Sequence, residues 1–220
     1  MEHAKYVIFD MDGILFDTEL LMIRCYEEVA EEYGLPGVRN VCRKCIGVNA
    51  ARTQDIFKEH YGEQFPLLEI REKVVSRFRN TVETSGVPIK PYAEQLLRYL
   101  KASQYTLALA SSTAVETVTR ELKQAGFYGY FDQVIGGDMV SRSKPAPDIF
   151  LAACAGLGCS PEEAYVIEDS VNGLLAAYAA GTMPLAVPDL IALPDDIRPL
   201  CTGVFADLSE VLRFFEKMSY

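Results

Sequence analysis

Residues 163–188 read EAYVIEDSVNGLLAAYAAGTMPLAVP, and the fold turns on how they are divided. "EAYVIED" is a short apolar run that ends on two acids, the pattern of a buried strand. "VNGLLAAYAAG" carries apolar residues all along a helix-length stretch and stops on a glycine. "MPLAVP" is a second short apolar run. Two strands that are apolar on both faces, joined through a helix, belong to a parallel sheet covered on both sides.

The same alternation extends outward. Upstream lie the helix "AEQLLRYLKAS", the strand "YTLALAS", the helix "AVETVTRELKQAG", the strand "FDQVIGG" and the helix "DIFLAACAGLG". Downstream come "GVFA" and "LSEVLRFFEKM", a last strand and helix. At the start of the chain, "KYVIF" (5–9) is a further apolar strand. The expectation is an α/β fold with a doubly wound, mostly parallel, Rossmann-like sheet.

One block interrupts this order. From Thr18, Leu21, Cys25, Val29 and Tyr33 recur at helical spacing, and "GLPG" (34–37) then breaks the chain. "AARTQDIFKEHYG" and "LLEIREKVVSRFRNTVE" are amphipathic, and no convincing strand occurs before "SGVPIKP". The chain therefore divides into a core of residues 1–17 and 87–220 and an inserted all-helical domain of residues 18–86.

Composition narrows the function. The 220 residues include 31 acidic and 21 basic ones, a net charge of −10 that disfavours nucleic acid and anionic membrane as partners. No apolar run approaches the roughly 20 residues a membrane span needs. The N-terminus lacks the pattern of a secretory signal, so a cytoplasmic location is expected. Cysteines stand at 25, 42, 45, 154, 159 and 201, including a CxxC at 42–45. A structural zinc site needs about four ligands. The only histidines are His3 and His60, and there is no second CxxC. Incidental, reduced thiols are the favoured reading.

Open parallel sheets carry their sites at the carboxyl ends of the strands. Here those ends supply Asp10, Ser111 and the pair Glu168-Asp169, with Lys144 in a loop beyond "VIGG". Asp10 and Asp12 stand two residues apart, with Gly13 free to turn the backbone. Clustered carboxylates repel one another unless a cation sits among them, and an oxygen-only ligand set suits Mg²⁺. Asp10 could then attack phosphorus as a nucleophile, and Asp12 could serve as acid and base. Ser111, Ser112 and the N–H groups that open the next helix could hold phosphoryl oxygens, with Lys144 as a point charge.

Each element has a plainer reading. Asp-x-Asp-Gly forms turns, "SST" and "EDS" cap helices, and a lysine before proline is usually a solvated loop residue. Their joint occurrence at strand ends outweighs the separate explanations. Asp17 is expected to cap or hydrogen-bond locally.

"FDMDGILFDTE", "LALASST", "SKPAPDIF" and "YVIEDSVNGLLAAYAAG" together resemble, in order, the four motifs of the haloacid dehalogenase superfamily. The resemblance is strongest to beta-phosphoglucomutases and related phosphatases with a helical cap, and it covers essentially the whole chain. It implies Asp10 as nucleophile and Mg²⁺ ligand. Asp12 becomes the acid/base, its carbonyl also on the metal. Ser111 binds phosphate, Lys144 is the stabilising cation, and Glu168 and Asp169 are metal-side acids. It further implies that 18–86 is a mobile cap, hinged near Asp17–Thr18 and Gly86–Pro88. Dehalogenases proper lack the second aspartate, so Asp12 argues for phosphoryl transfer.

The mutase pattern has a histidine where Met22 stands, an arginine where Ala50 stands, and a lysine and asparagine at Ala114 and Val115. These departures favour a phosphatase acting on a small phosphorylated metabolite, with sugar phosphates the leading class. A phosphosugar mutase is the alternative, and a non-catalytic phospho-ligand binding module the second. Tyr92 replaces the glycine that many relatives carry, with no evident reason. Substrate contacts are expected from residues 46–53 of the cap, with Arg52 the first candidate and Arg77 another.

Overall fold

The computed structural model describes residues 5–46 and 50–218. His3 and residues 47–49, which include the cap glycine Gly47, lie outside the described residues. The chain forms two compact units, one up to Phe16 and from Ile89 onward, the other Asp17–Pro88.

The first unit is the α/β core. Its strands are β1 (Tyr6–Phe9), β2 (Thr106–Ala110), β3 (Gln133–Ile135), β4 (Ala164–Glu168), β5 (Met183–Ala186) and β6 (Gly203–Val204). They lie in the order β3-β2-β1-β4-β5-β6 and every pairing is parallel. This is the expected doubly wound sheet, with the order reversing between β1 and β4. Helices α5 (Ala93–Ala102), α6 (Val115–Gln124), α7 (Asp148–Leu157), α8 (Val171–Ala180) and α9 (Leu208–Met218) connect and cover the strands.

Strand alternation sorts the core into two layers. Ile8, Ala108, Ala110, Ala164 and Val166 pack with Ile149, Phe150, Ala153, Ala176 and Ala177 of α7 and α8. The alanines let those helices approach the sheet closely. Tyr105 and Tyr165 meet Phe215 of α9 edge-on, at 5.4 and 5.5 Å between ring centres, and Tyr99 of α5 donates to the Phe215 carbonyl at 3.4 Å. Burial on both faces explains why the strands read as continuous apolar runs rather than alternating ones.

The second unit is helical: α1 (Thr18–Tyr33), α2 (Val38–Cys45), α3 (Ala50–Tyr61) and α4 (Leu67–Ser85). Leu21, Cys25 and Val29 are buried as their spacing predicts, while Tyr33 sits at the rim and donates to Glu69 at 2.6 Å. Arg77 ties α4 to α1 through Glu32 (2.6 Å) and Glu28 (3.4 Å). Asp17 occupies the N-cap position of α1 but makes no side-chain capping hydrogen bond, so of the two expected roles, capping or local hydrogen bonding, the cap is not formed. Its N–H donates to the Pro88 carbonyl instead, at 2.8 Å.

Among the described residues no helix is long and apolar enough to cross a membrane. All six cysteines are free thiols. Burial pushes the Cys42 thiol up to about 12 and raises Cys45 as well. A redox CxxC has its nucleophilic thiol lowered, the opposite direction to both thiols here.

Candidate active site

The sheet ladder runs one residue past the strand ends. Asp10 N–H donates to Ile167 O (3.0 Å), Ser111 N–H to Ile135 O (3.0 Å) and Val187 N–H to Glu168 O (2.9 Å). The backbones carrying Asp10, Ser111 and Glu168 are therefore fixed by the same hydrogen bonds that build the sheet. After β1 the chain folds tightly: Leu15 and Phe16 N–H groups both donate to Met11 O, and Gly13 adopts a φ of 82°. Met11, Ile14, Leu15 and Phe16 are all buried, so the loop is anchored by its apolar residues. A side chain at Gly13 would overlap the Asp169 carboxylate, so this glycine permits a close approach as well as a turn.

Lys144 is the centre of the arrangement. Its ammonium forms an ion pair with Asp10 Oδ1, donates to Glu168 Oε2 at 2.8 Å and to Ala110 O at 3.3 Å, and lies 5.0 Å from the Phe150 ring centre. Only 7 % of its side chain is exposed, so the solvated-loop reading does not apply. Glu168 Oε1 accepts from Asp169 N, Ser170 N and Ser170 Oγ at 3.1, 3.0 and 2.8 Å. Ser170 also caps α8 by accepting from Gly173 N. The capping reading of "EDS" thus holds for Ser170 alongside the site itself.

The second lobe is smaller. Thr113 Oγ1 donates to Asp12 Oδ2 at 3.3 Å, and Thr113 N–H donates to Ser111 Oγ at 3.1 Å. Ser111 is fully buried, whereas Ser112 is exposed. The α6 N-cap is Ala114, without a side-chain bond, so the "SST" hydroxyls do not cap it. The first helical N–H, on Val115, is instead satisfied by Asp138 Oδ1 at 2.9 Å. Gly136 and Gly137 allow that approach, since a side chain at either would overlap the backbone of Val115 or Ser112.

Electrostatically the site is short of positive charge. Burial, and then Glu168, hold the Asp10 carboxyl well above the usual carboxylate range, against the opposing pull of Lys144. Burial also opposes charge on Glu168, but Lys144 and the Ser170 donors outweigh it and keep this carboxyl below its ordinary value. Lys144 is likewise disfavoured by burial, and Asp10 with Glu168 more than restores its charge. Asp10, Glu168 and Asp169 each bring a carboxylate oxygen within 4.8 Å of the others. A cluster of hard oxygens with a cation deficit is the donor set that fits Mg²⁺.

The structure thus gathers Asp10, Lys144, Glu168 and Asp169 into one cluster and joins Asp12 to the Ser111 loop through Thr113. Arg52 belongs to the helical unit, where it is exposed and paired with Glu59 at 2.7 Å. Thr113 and Gly173 are residues that sequence reasoning passed over. Gly173 carried a signal, a glycine inside a helix where alanine is favoured.

A model of the family described as haloacid dehalogenase-like hydrolase matches residues 7–187, taking in every residue of this cluster. The chain belongs to the haloacid dehalogenase-like hydrolases. It is 36% identical over 175 residues to a phosphorylated carbohydrates phosphatase of Thermotoga maritima, covering 80% of this chain and 81% of the relative. Among solved structures, a Thermotoga maritima protein provisionally assigned as a beta-phosphoglucomutase superposes with a TM-score of 0.80 at 29% identity, covering 97% and 99% of the two chains. CbbY from Rhodobacter sphaeroides, solved in complex with phosphate, gives 0.71 at 26% identity over 94% and 96%. As a haloacid dehalogenase-like hydrolase the chain is an enzyme, and its fold is that of these structures.

Proposed function

We propose that this hydrolase is a Mg²⁺-dependent phosphatase of a small phosphorylated metabolite, with sugar phosphates the favoured class, working through an aspartyl-phosphate on Asp10. The observation that carries the reading is the buried Asp10 carboxylate, fixed at the end of β1 by Lys144, with Asp12 two residues on. The relative named for phosphorylated carbohydrates supports the substrate class. A cytoplasmic setting accords with free thiols and with helices that, among the described residues, are too short or polar to span a membrane.

Asp10, Glu168 and Asp169 would hold the Mg²⁺, together with the Asp12 carbonyl. The ion supplies positive charge that favours ionised Asp10 and offsets charge on the phosphoryl oxygens. Asp10 attacks phosphorus through a carboxylate oxygen as the bond to the leaving oxygen breaks, and protonated Asp12 gives that oxygen its proton. Asp12 then takes a proton from water, which attacks phosphorus. The bond to Asp10 breaks and inorganic phosphate leaves, restoring both aspartates. Lys144 and the Ser111 hydroxyl neutralise and orient the transferring oxygens. Asp17–Pro88 would act as a cap that excludes water and selects substrate, with Arg52 a candidate contact.

The mutase reading draws on one structural neighbour, but the positions of its lysine and asparagine hold Ala114 and Val115 here. The Val115 N–H is already taken by Asp138. The test is phosphate release from a panel of sugar, short-acid and nucleotide monophosphates with Mg²⁺, beside coupled detection of glucose 6-phosphate formed from glucose 1-phosphate. Phosphate release that Asp10→Asn abolishes, while the variant still binds Mg²⁺, is the expected result. Isomer conversion without phosphate loss would transfer the chain to the mutases. Folded wild-type protein with Mg²⁺ and neither activity would favour a binding module.

A further inference from the structure

Asp189 follows β5 and belongs to none of the four motifs. Its side chain is 14 % exposed, and Lys90 Nζ donates to its Oδ1 at 2.6 Å. Its other oxygen, Oδ2, is fully buried and is the buried side-chain atom without a hydrogen-bond partner among the described residues. A carboxylate oxygen of Asp189 lies within 4.8 Å of one of Asp169. A surface-type salt bridge would leave its second oxygen to solvent. Here a lysine fixes the carboxylate by one oxygen and leaves the other buried without a partner among the described residues, in a side chain whose carboxylate stands near that of Asp169.

A dry, ionised oxygen without a donor is costly, and a neighbouring carboxylate makes it more so. Both penalties are relieved by a donor that carries positive charge from the direction of Asp169. A water polarised by a divalent cation is such a donor. Mg²⁺ keeps several waters and holds its ligands at about 2.1 Å, which puts adjacent ligand oxygens about 3 Å apart. A further hydrogen bond of about 2.7 Å reaches beyond the separation of the two carboxylates.

We propose that Asp189 is a positioning residue for the divalent cation, accepting through Oδ2 a hydrogen bond from a water bound to it. The assignment rests on the Mg²⁺ site of the proposed function. Lys90 is the tether: it aims Oδ2 by holding Oδ1. Lys90 itself is set by its own N–H, which donates to Leu15 O at 2.9 Å in the loop that carries Asp10 and Asp12. Asp189 thereby links the loop after β5 to the hydration of the ion, the outer-shell role that orients ligands in metal sites.

The experiment is calorimetric titration of Mg²⁺ into the chelator-stripped full chain, wild type against Asp189→Asn, with thermal melts of both in chelator. The asparagine keeps the shape and a partner for Lys90 but loses the charge. The expected result is a Kd for Mg²⁺ raised about tenfold, with melting in chelator unchanged or raised, since the metal-free protein then loses an unpartnered charge. An unchanged Kd, or a raised Kd accompanied by a lower melting temperature without metal, overturns the proposal. Loss of binding beyond about a thousandfold would make Asp189 a direct ligand and also overturn it. If Asp189→Asn does not fold, Lys90→Gln serves. It loosens Asp189 without removing the carboxylate, and unchanged Mg²⁺ affinity again overturns the role. Wild-type protein that binds no Mg²⁺ would sink the metal reading itself. Wild-type binding weakened by Asp10→Asn but not by Asp189→Asn would sink this inference alone.

Discussion

Replacing Gly173 by alanine separates two physical effects of opposite sign. In an exposed helix interior the change stabilises by about 0.8–1.0 kcal/mol. Gly173, however, lies in the first turn of α8, where its N–H bonds the Ser170 hydroxyl. A Cβ there would stand 2.5 Å from Glu168 Cγ and closer still to its carboxylate. Ordinary carbon contacts are about 3.5 Å or more, so the Glu168 side chain must retreat by about 1–1.5 Å. It has nowhere to relax: Oε1 holds three donors, Oε2 holds Lys144, and its side chain is 1 % exposed.

Overpacking costs about 1–3 kcal/mol, and weakened hydrogen bonds to a buried charge about 1.5–3 kcal/mol. Against these stands the gain in helix propensity, leaving a net loss of about 1.5–5 kcal/mol. For a chain of this size that lowers the melting temperature by about 3–20 °C. Lys144 moves with Glu168, and a displacement of about 1 Å in a positioning group costs on the order of 10²-fold in turnover. Thermal melts by circular dichroism and kcat on the best phosphomonoester test this, with Gly129→Ala as control because that site opens on empty space. A Gly173→Ala protein that melts at or above the wild-type temperature with kcat intact would refute the claim that Glu168 is locked and that its position governs Lys144.

Two further predictions concern features outside the chemistry. With its thiol raised to about 12 by burial, Cys42 is almost wholly protonated at pH 8. An ordinary thiol titrates near 8.5, so alkylation of native Cys42 by iodoacetamide should be on the order of 10³-fold slower than in denatured protein. The rate should rise with pH through and beyond pH 9 instead of levelling, and peptide-resolved mass spectrometry at several pH values decides it. Fast labelling that levels near pH 8–9 would contradict the buried thiol. Asp138→Ala should cost about 1 kcal/mol in urea unfolding through loss of the α6 cap, whereas Ser112→Ala should cost less than about 0.5 kcal/mol. The reverse ranking would return the cap to the "SST" hydroxyls.

The contrast between those two substitutions marks what a sequence can and does display. Alternating apolar runs and helical stretches gave away the sheet because each element carries its own periodicity, and Asp10, Ser111 and Glu168 followed from the rule that sites lie at strand ends. One neighbour was hidden: Asp138 caps a helix that begins 23 residues earlier, which no local pattern displays. Lys144, 134 residues from Asp10, was legible only because it follows a strand beside the other strand-end residues. "SST" met every local criterion for a cap, yet the sheet register holds Ser111 in the core and Thr113 turns to Asp12. Asp17 stood at the right place for a cap and makes none. Local capping rules describe an isolated helix, and tertiary contacts reassigned the donors.

The Asp-x-Asp-Gly stretch shows how the plainer reading and the functional one coexist. It is a turn: Gly13 is left-handed and two N–H groups converge on Met11 O. Turn aspartates are nevertheless ordinarily exposed, since ionised carboxylates resist burial. Asp10 is 6 % exposed, shares one lysine with a second buried acid, and has its carboxyl pushed upward by burial and by that acid. Folding alone would favour an apolar residue at this position, as at Phe9 before it, because replacing a buried ion pair by well-packed apolar groups is often neutral or stabilising. Such an arrangement gives the empty fold little in return, and under the proposed function a cation and a phosphoryl group would share its charge. Burial without a structural return, more than the motif's spelling, is the argument for chemistry at Asp10.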